Sequence, residues 1–115
     1  MSDPVFFSLA EASAALGEIR ASGERPFTVR ATRGTMVLEL YAPRNEDDQQ
    51  PHSQDELYFV ARGSGTFVCG GARVDFAKGD VLFAAAGVEH RFENFSADFE
   101  TWVVFYGPEG GEIPA

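Results

Sequence analysis

Residues 50–63 read QPHSQDELYFVARG, and residues 79–94 read GDVLFAAAGVEHRFEN. Both stretches place apolar residues at alternating positions next to glycines, which is typical of short β-strands joined by tight turns. Each stretch also contains one of the two histidines of the chain, His52 and His90. These two stretches therefore combine a strand pattern with side chains that commonly bind metal ions.

The same period-two pattern extends over most of the chain that follows Pro26. Turn residues, such as Gly34 and the Gly70-Gly71 pair, separate the candidate strands. Many short strands divided by glycine turns favour a sandwich or a closed barrel, since closure removes exposed strand edges. The predicted strands cover residues 27–33, 35–41, 57–62, 65–69, 73–76, 80–84, 90–93 and 100–106.

One short helix is predicted ahead of the strands. Ser8 followed three residues later by Glu11 forms a capping-box pattern, and apolar residues then recur at helical spacing. We expect this helix to end near Gly17. The predicted organisation is an N-terminal extension with a short helix (residues 1–26), a β-barrel (residues 27–107) and a flexible C-terminal tail (residues 108–115).

Composition restricts the partners and the compartment. The formal net charge of −9 and the lack of a basic stripe argue against nucleic acid and against an anionic membrane surface. No apolar run is long enough to span a bilayer, and no secretory signal follows Met1, so we expect a cytoplasmic protein. The single cysteine, Cys69, lies in an alternating apolar strand, which favours packing over a nucleophilic role.

His52, Glu56 and His90 form a candidate metal site. His52 and Glu56 are four residues apart at the start of a strand, and even spacing keeps both side chains on one face. Two imidazoles and a carboxylate suit Fe, Zn, Mn, Ni, Co or Cu. The alternative for either histidine alone is that it satisfies a polar group near a loop. Tyr58 shares this inward parity, so it either lines the pocket or packs in the core.

The faces of two strands decide which other side chains could join the site. Met36, Leu38 and Leu40 alternate along one strand, and we expect their face to lie in the core. Glu39 would then lie on the opposite face, away from any catalytic role. Asp55 is expected to face solvent.

The two stretches resemble the two sequence motifs of the cupin superfamily, in particular its small single-domain (cupin 2 type) barrels. In the first motif, an HxH triplet is followed by a glutamate and then a glycine, and Gln50 here stands where the first histidine belongs. In addition, Arg44 stands where a leading glycine belongs, and Ala85 replaces a proline of the second motif. The matching positions are His52, Glu56, Gly63, Gly79, Gly87, His90 and Asn94.

The resemblance implies an all-β, double-stranded β-helix (jelly-roll) barrel with one short N-terminal helix. It also implies a divalent transition metal held by His52, Glu56 and His90. Gln50 is a possible fourth ligand through its amide oxygen; if it does not bind, its position is open to water or substrate.

Cupins include dioxygenases, sugar-phosphate isomerases, decarboxylases and non-catalytic sensor or storage modules, so the resemblance leaves the reaction open. Our leading hypothesis is a metal-dependent, oxygenase-like enzyme that acts on a small and mostly apolar molecule; isomerase or lyase chemistry is a further enzymatic possibility. The alternatives are a non-catalytic module that binds a small ligand or a metal, and a structural barrel with no ligand. We also expect a homodimer with a contact at the apolar N-terminal segment that contains Val5, Phe6 and Phe7.

Overall fold

The computed structural model describes residues 3–115 and contains one helix and eight strands. Of the eight predicted strands, residues 27–33, 90–93 and 100–106 agree with the structure at both ends, and the others differ by at most two residues at either end. The elements are α1 (Leu9–Ala21), β1 (Phe27–Arg33), β2 (Met36–Tyr41), β3 (Asp55–Arg62), β4 (Ser64–Cys69), β5 (Ala72–Ala77), β6 (Val81–Ala84), β7 (His90–Glu93) and β8 (Glu100–Tyr106).

The strands form two antiparallel sheets, with the order β1-β2-β8-β3-β6 in the larger one and β5-β4-β7 in the smaller one. This arrangement confirms the predicted all-β barrel with one N-terminal helix. The interior is mainly aromatic, which lets a few large side chains fill the space between the sheets. The buried residues of this interior cluster are Tyr41, Tyr58, Val60, Phe67, Phe76, Ala84, Phe92, Phe99 and Val103.

The turn between β3 and β4 depends on glycine. Gly63 has a φ of 81°, and a Cβ atom at this position would lie 2.8 Å from the Cα atom of Phe99. Any other residue would therefore be strained and would also collide with the neighbouring backbone. This turn fixes where β3, which carries the predicted ligand Glu56 close to its start, leaves the larger sheet.

Helix α1 begins as predicted, since the Ser8 side chain accepts a hydrogen bond of 3.2 Å from the backbone N–H of Glu11. The prediction that it ends near Gly17 is wrong, because the helix continues to Ala21. A glycine inside a helix costs only about 1 kcal/mol, so it weakens the helix without ending it. The backbone turns left-handed only at Gly23, whose φ is 75°.

The helix covers the outer face of β1 and β2. Ala12 and Leu16 of α1 are fully buried against Leu40 of β2 and the adjoining Ala42. Both faces of β2 are therefore buried, one under the helix and the other inside the barrel. Leu40 lies in a core as predicted, but this core is the one under the helix, so the opposite face of β2 points into the barrel. Among residues 3–115, no helix is both long and apolar enough to cross a bilayer.

The segment after β8 returns to the barrel through backbone hydrogen bonds. The N–H of Gly110 donates to the carbonyl oxygen of Ser53 at 2.7 Å, and the N–H of Glu112 donates to Asp55 Oδ2 at 2.8 Å. Asp55 Oδ1 accepts a third bond, of 2.9 Å, from the N–H of Ala86. Asp55 is consequently buried, and the expectation that it faces solvent is wrong. The three-part division of the chain and the flexibility of residues 108–115 stay predictions.

Candidate metal centre

His52, Glu56 and His90 meet inside the barrel, and one ligand atom from each lies within 4.8 Å of the others. Glu56 belongs to β3 and His90 to β7, so the two sheets supply facing ligands. His52 lies in the loop that leads into β3. Glu56 and His90 are almost completely buried, whereas about a third of the His52 side chain is exposed. The three side chains predicted as ligands from their spacing therefore lie together.

The ring of His90 is held in one orientation. Its Nδ1 atom lies 2.8 Å from the carbonyl oxygen of Val88, an atom that only accepts hydrogen bonds, so Nδ1 carries a proton and donates it. In the neutral ring, Nε2 then presents a lone pair, and it lies 2.5 Å from Glu56 Oε1. This arrangement is typical of a metal-binding histidine whose second nitrogen is fixed by a backbone carbonyl.

Three buried atoms at this centre have no hydrogen-bond partner among the described residues: His52 Nδ1, Glu56 Oε2 and His90 Nε2. His52 Nδ1 and Glu56 Oε2 are only 3.1 Å apart, but the contact lacks the geometry of a hydrogen bond. A buried polar atom without a partner lowers the stability of the fold. Ligand atoms whose lone pairs point at one another also repel unless a cation lies between them. The residues present therefore fit a bound cation.

Tyr58 orients the carboxylate of Glu56. Its hydroxyl donates a 2.5 Å hydrogen bond to Glu56 Oε1, and its ring packs edge-on against Phe67 and Phe92. The two alternatives for Tyr58 are thus both realised, because it packs in the core and also lines the cavity beside the centre. One oxygen of Glu56 is engaged by Tyr58, which leaves Oε2 free for a metal.

The protonation of Glu56 suits a ligand. Burial by itself raises the pKa of this carboxyl, but the neighbouring His52 and His90 rings and the Tyr58 hydroxyl lower the pKa to about 2. Glu56 is therefore ionised at neutral pH. For His90, burial lowers the pKa, and contact with Glu56 and the Val88 carbonyl raises it above its usual value. A proton on this ring consequently competes with a metal for Nε2.

Gln50 is placed outside this cluster. Its side chain is exposed, and its Nε2 atom donates a 3.3 Å hydrogen bond to the carbonyl oxygen of Asp48. The neighbouring Gln49 instead lines the barrel cavity and donates to Asp47 Oδ2 at 2.6 Å. Whether Gln50 binds a metal stays a prediction.

The loop that carries these glutamines is fastened by Asp47, a residue that the sequence did not single out. Asp47 is buried, accepts a hydrogen bond from the Tyr41 hydroxyl, and accepts another of 2.8 Å from the backbone N–H of Phe92. The loop of residues 43–51 is therefore tied to β7 by one buried carboxylate. This attachment holds the loop across the barrel mouth.

A cavity of about 420 Å³ opens beside the centre. His52 and Tyr58 line it together with apolar side chains, which include Phe27, Val103 and Phe105. A larger groove of about 560 Å³ lies elsewhere, between α1 and the loop that follows β2, and none of the three ligand residues lines it. The smaller cavity is therefore the one that a molecule bound at the centre would occupy.

Glu39 also lines this cavity, contrary to the expectation that it lies away from the site. It is the cross-strand neighbour of Val103, which is in turn the neighbour of Tyr58, so all three side chains share the interior face of the larger sheet. Burial raises the pKa of Glu39 to about 7, partly offset by the nearby His52. The sequence did not reveal this residue, because both faces of β2 are buried.

Comparisons with known proteins agree with this two-sheet barrel architecture. A family model for the cupin domain matches residues 37–105, which is more than half of the chain. The chain therefore belongs to the cupin domain family. An uncharacterized protein of Streptomyces coelicolor is 36% identical to it over 92 residues, which span 78% of this chain and 88% of that protein.

Solved structures share the fold at low sequence identity. KdgF from Halomonas sp. matches with a TM-score of 0.61 and 15% identity, over 69% of this chain and 74% of that chain. FeII HppE in complex with substrate matches with a TM-score of 0.58 and 15% identity, over 70% of this chain and 52% of that chain. Both likenesses support the barrel fold alone.

Proposed function

We propose that this cupin binds one divalent transition-metal ion through His52, Glu56 and His90 and uses it to transform a small molecule held in the adjoining cavity. The observation that carries the proposal is the convergence of three buried donor atoms that lack partners. A metal at this point would act as a Lewis acid or an oxygen activator, as ligand sets of two histidines and one carboxylate do.

The protein's own residues prepare the site for this chemistry. Val88 fixes the His90 ring, and Tyr58 fixes Glu56, so two ligands are oriented before any metal binds. The three proposed ligands leave coordination positions for water, for substrate or for Gln50. FeII HppE, which shares this fold, contains Fe(II), whereas the oxygenase-like chemistry proposed here rests on the two histidines and one carboxylate of this chain. Isomerase or lyase chemistry would use the same open positions.

Metal content is the first test. Untagged protein, purified without chelator, is analysed by plasma mass spectrometry beside a Glu56→Ala/His90→Ala double variant. We expect near one equivalent of a single transition metal in the parent and a loss of that metal in the variant. Glu89→Ala/Arg91→Ala, which changes the two exposed residues on either side of His90, is the matched control and should retain the metal. Absence of metal in the parent, even after reconstitution, would contradict the proposal.

The alternative function is a non-catalytic module that retains a small ligand or a metal. The favouring observation is the small cavity, in which the hydroxyl of Tyr58 is already engaged by Glu56. Turnover separates the two functions. Oxygen uptake by the iron-loaded protein with aromatic or thiol substrates supports the enzyme, whereas tight ligand retention without turnover supports the module.

We further propose that the protein forms a homodimer through its N-terminal segment. Val5 is 94% exposed and Phe6 is 78% exposed, and large apolar side chains of this kind are commonly covered by a partner. A second exposed apolar group, Phe59, Val81 and Phe83, lies on the outer face of β3 and β6. The cytoplasmic location and the lack of nucleic-acid partners stay predictions from composition.

A further inference from the structure

Glu39 differs from the other buried acidic residues of the chain. Among residues 3–115, five acidic residues are buried, and four of them have clear partners. Glu100 pairs with Arg62 and accepts from Ser13, and Glu56 lies against the two histidines. Asp47 and Asp55 each accept backbone N–H bonds. Only the Glu39 side chain, which is 9% exposed, makes neither a hydrogen bond nor an ion pair with the described residues.

Folding alone does not account for an unpaired carboxyl at this position. Its carboxylate oxygens are not fully enclosed and reach the cavity, but holding a carboxyl largely out of water still costs more than a leucine that fills the same space. Glu39 is nevertheless placed on the interior face of β2, where it lines the cavity beside the candidate metal centre. Its missing partner is therefore expected among the molecules that enter the cavity.

The position of Glu39 sets the size of such a molecule. Glu39 and Tyr58 are both cross-strand partners of Val103, so β8 separates them. Adjacent strands lie about 5 Å apart, which places the Cα atoms of Glu39 and Tyr58 roughly 10 Å apart. A molecule with one end at the metal centre and the other at Glu39 would span the cavity along this row.

The charges around the cavity set its chemistry. The residues that line it include Glu39 and Asp48, but, within the described part of the chain, no lysine or arginine. A phosphate or carboxylate on the ligand would find no basic side chain here. A hydroxyl or an amino group would find an acceptor in Glu39, and Phe27 and Phe105 would cover an apolar body.

We propose that Glu39 is a specificity-determining residue of the cavity: it accepts a hydrogen bond from a hydroxyl or amino group of a small, mostly apolar ligand and discriminates against anionic ligands. This inference rests on the proposed function for the ligand's other end, which lies at the metal centre. The Glu39 interaction itself needs only the cavity, so the two ideas can fail separately.

Three probes with the same ring and different head groups test this inference: benzylamine, benzyl alcohol and benzoate. Each is titrated by calorimetry and by NMR at pH 8, above the pKa of about 7 of the Glu39 carboxyl, into the zinc-reconstituted protein and into the chelator-treated protein. We expect the parent to prefer benzylamine and benzyl alcohol over benzoate. In Glu39→Gln, benzylamine should bind at least about tenfold more weakly, and the preference over benzoate should disappear, because the acceptor has lost its charge.

Glu18→Gln is the matched control, because it removes the same charge from an exposed position on α1 and should leave all three affinities unchanged. Glu39→Leu, the second variant, keeps the space filled without an acceptor and should abolish the preference as well. Circular dichroism and zinc content establish that each variant is folded and carries as much metal as the parent.

The outcomes separate the two proposals. A Glu39-dependent preference in both zinc-loaded and chelator-treated protein supports this inference, whatever the metal does. Zinc binding with no binding of any probe, or with equal affinities in parent and Glu39→Gln, overturns it and leaves the metal site standing. Failure to bind zinc, accompanied by a Glu39-dependent preference, overturns the metal site and retains the role of Glu39.

Discussion

His90 Nε2 lies 2.5 Å from Glu56 Oε1, although the two atoms are not aligned for a hydrogen bond. The Val88 carbonyl holds the proton of this imidazole on Nδ1, which turns the Nε2 lone pair toward the carboxylate. Two electron-rich atoms this close repel unless they share a cation, either a proton or a metal ion. A proton on the His90 ring or a metal ion can supply this cation, and the metal content of the protein decides between the two.

The first prediction separates true ligands from Gln50. His52→Ala and His90→Ala each remove an imidazole from the centre and should each weaken zinc binding far more than Gln50→Ala, whose exposed amide bonds to Asp48 instead. Competition with a chromogenic chelator measures the three affinities. Equal losses in all three variants would show that Gln50 is a full ligand after all, and unchanged metal content in both histidine variants would remove the site.

The second prediction concerns the orientation of Glu56. Tyr58→Phe deletes the hydroxyl that donates to Glu56 Oε1 but retains the ring that packs against Phe67 and Phe92. Loss of such an outer contact typically costs about 10- to 100-fold in metal affinity. The same chelator competition measures it. Tyr106→Phe, at the end of β8, is the control; an equal affinity of Tyr58→Phe and Tyr106→Phe would show that the hydroxyl has no role in holding the ligand.

The third prediction concerns the homodimer. Light scattering at micromolar concentration should give twice the 12.5 kDa mass of the chain. Val5→Ser/Phe6→Ser should shift the protein to the monomer, because it removes the exposed apolar surface of the N-terminal segment. Val74→Ser, on the exposed side of β5, should leave the dimer intact. A monomeric parent contradicts the proposal, and a dimer that survives the N-terminal variant moves the contact to another surface.

The barrel and the three clustered residues could be predicted because their signals are local in the sequence. Alternation along β3 places Glu56 and Tyr58 on one face, and glycines such as Gly63 mark where strands must turn. His52 precedes Glu56 by an even number of residues. His90 could be assigned to the site only through the motif resemblance, because its own segment does not indicate which strand it will face.

The inward face of β2 could not be predicted in the same way. Alternation predicts which residues share a face, but it identifies the inner face only when the other face is polar. Here Leu40 is buried under Leu16 of α1, whereas Glu39 and Tyr41 point into the barrel. The apolar face of β2 therefore does not mark the barrel interior, because it packs against a helix. Knowing that α1 packs on this strand would have revealed Glu39.

The partners of the buried aspartates were hidden for a different reason. The Asp47 carboxylate accepts a hydrogen bond from the backbone N–H of Phe92, 45 residues away. The Asp55 carboxylate accepts one from the backbone N–H of Glu112, 57 residues away. Contacts over such distances leave no local pattern, and an acidic residue in a polar loop is usually solvated. Only the folded chain shows that these carboxylates fasten a loop and the C-terminal segment to the barrel.

The fourth prediction follows from the attachment of Asp47. Asp47→Ala would leave the N–H of Phe92 and the hydroxyl of Tyr41 without their buried partner. We expect a loss of about 3 kcal/mol in the free energy of unfolding, measured by urea denaturation. Asp48→Ala, at an exposed neighbouring position, should cost less than about 0.5 kcal/mol. Equal costs for both variants would show that the loop is not held by this carboxylate.

The fifth prediction is a pH dependence that arises at Glu39. Its pKa is raised by burial from 4.5 to about 7 in the folded protein, so the fold favours the protonated carboxyl. A raised pKa contributes stability that is present in full below the unfolded value and is lost as the pH rises through the folded value. The contribution should therefore disappear between pH 4.5 and about pH 7.

Glu39→Gln keeps the shape of the side chain and cannot ionise, so its stability should lack this component. Urea denaturation of chelator-treated parent and variant compares them from pH 4.5 to pH 8, without a metal whose charge would lower the pKa of Glu39. The free energy of unfolding of each protein is taken relative to its own value at pH 4.5. On this scale, the variant should be more stable than the parent by up to about 3 kcal/mol at pH 8. A constant difference between the two proteins across this range would show that Glu39 ionises normally, because water or a neighbouring group solvates its carboxylate within the cavity.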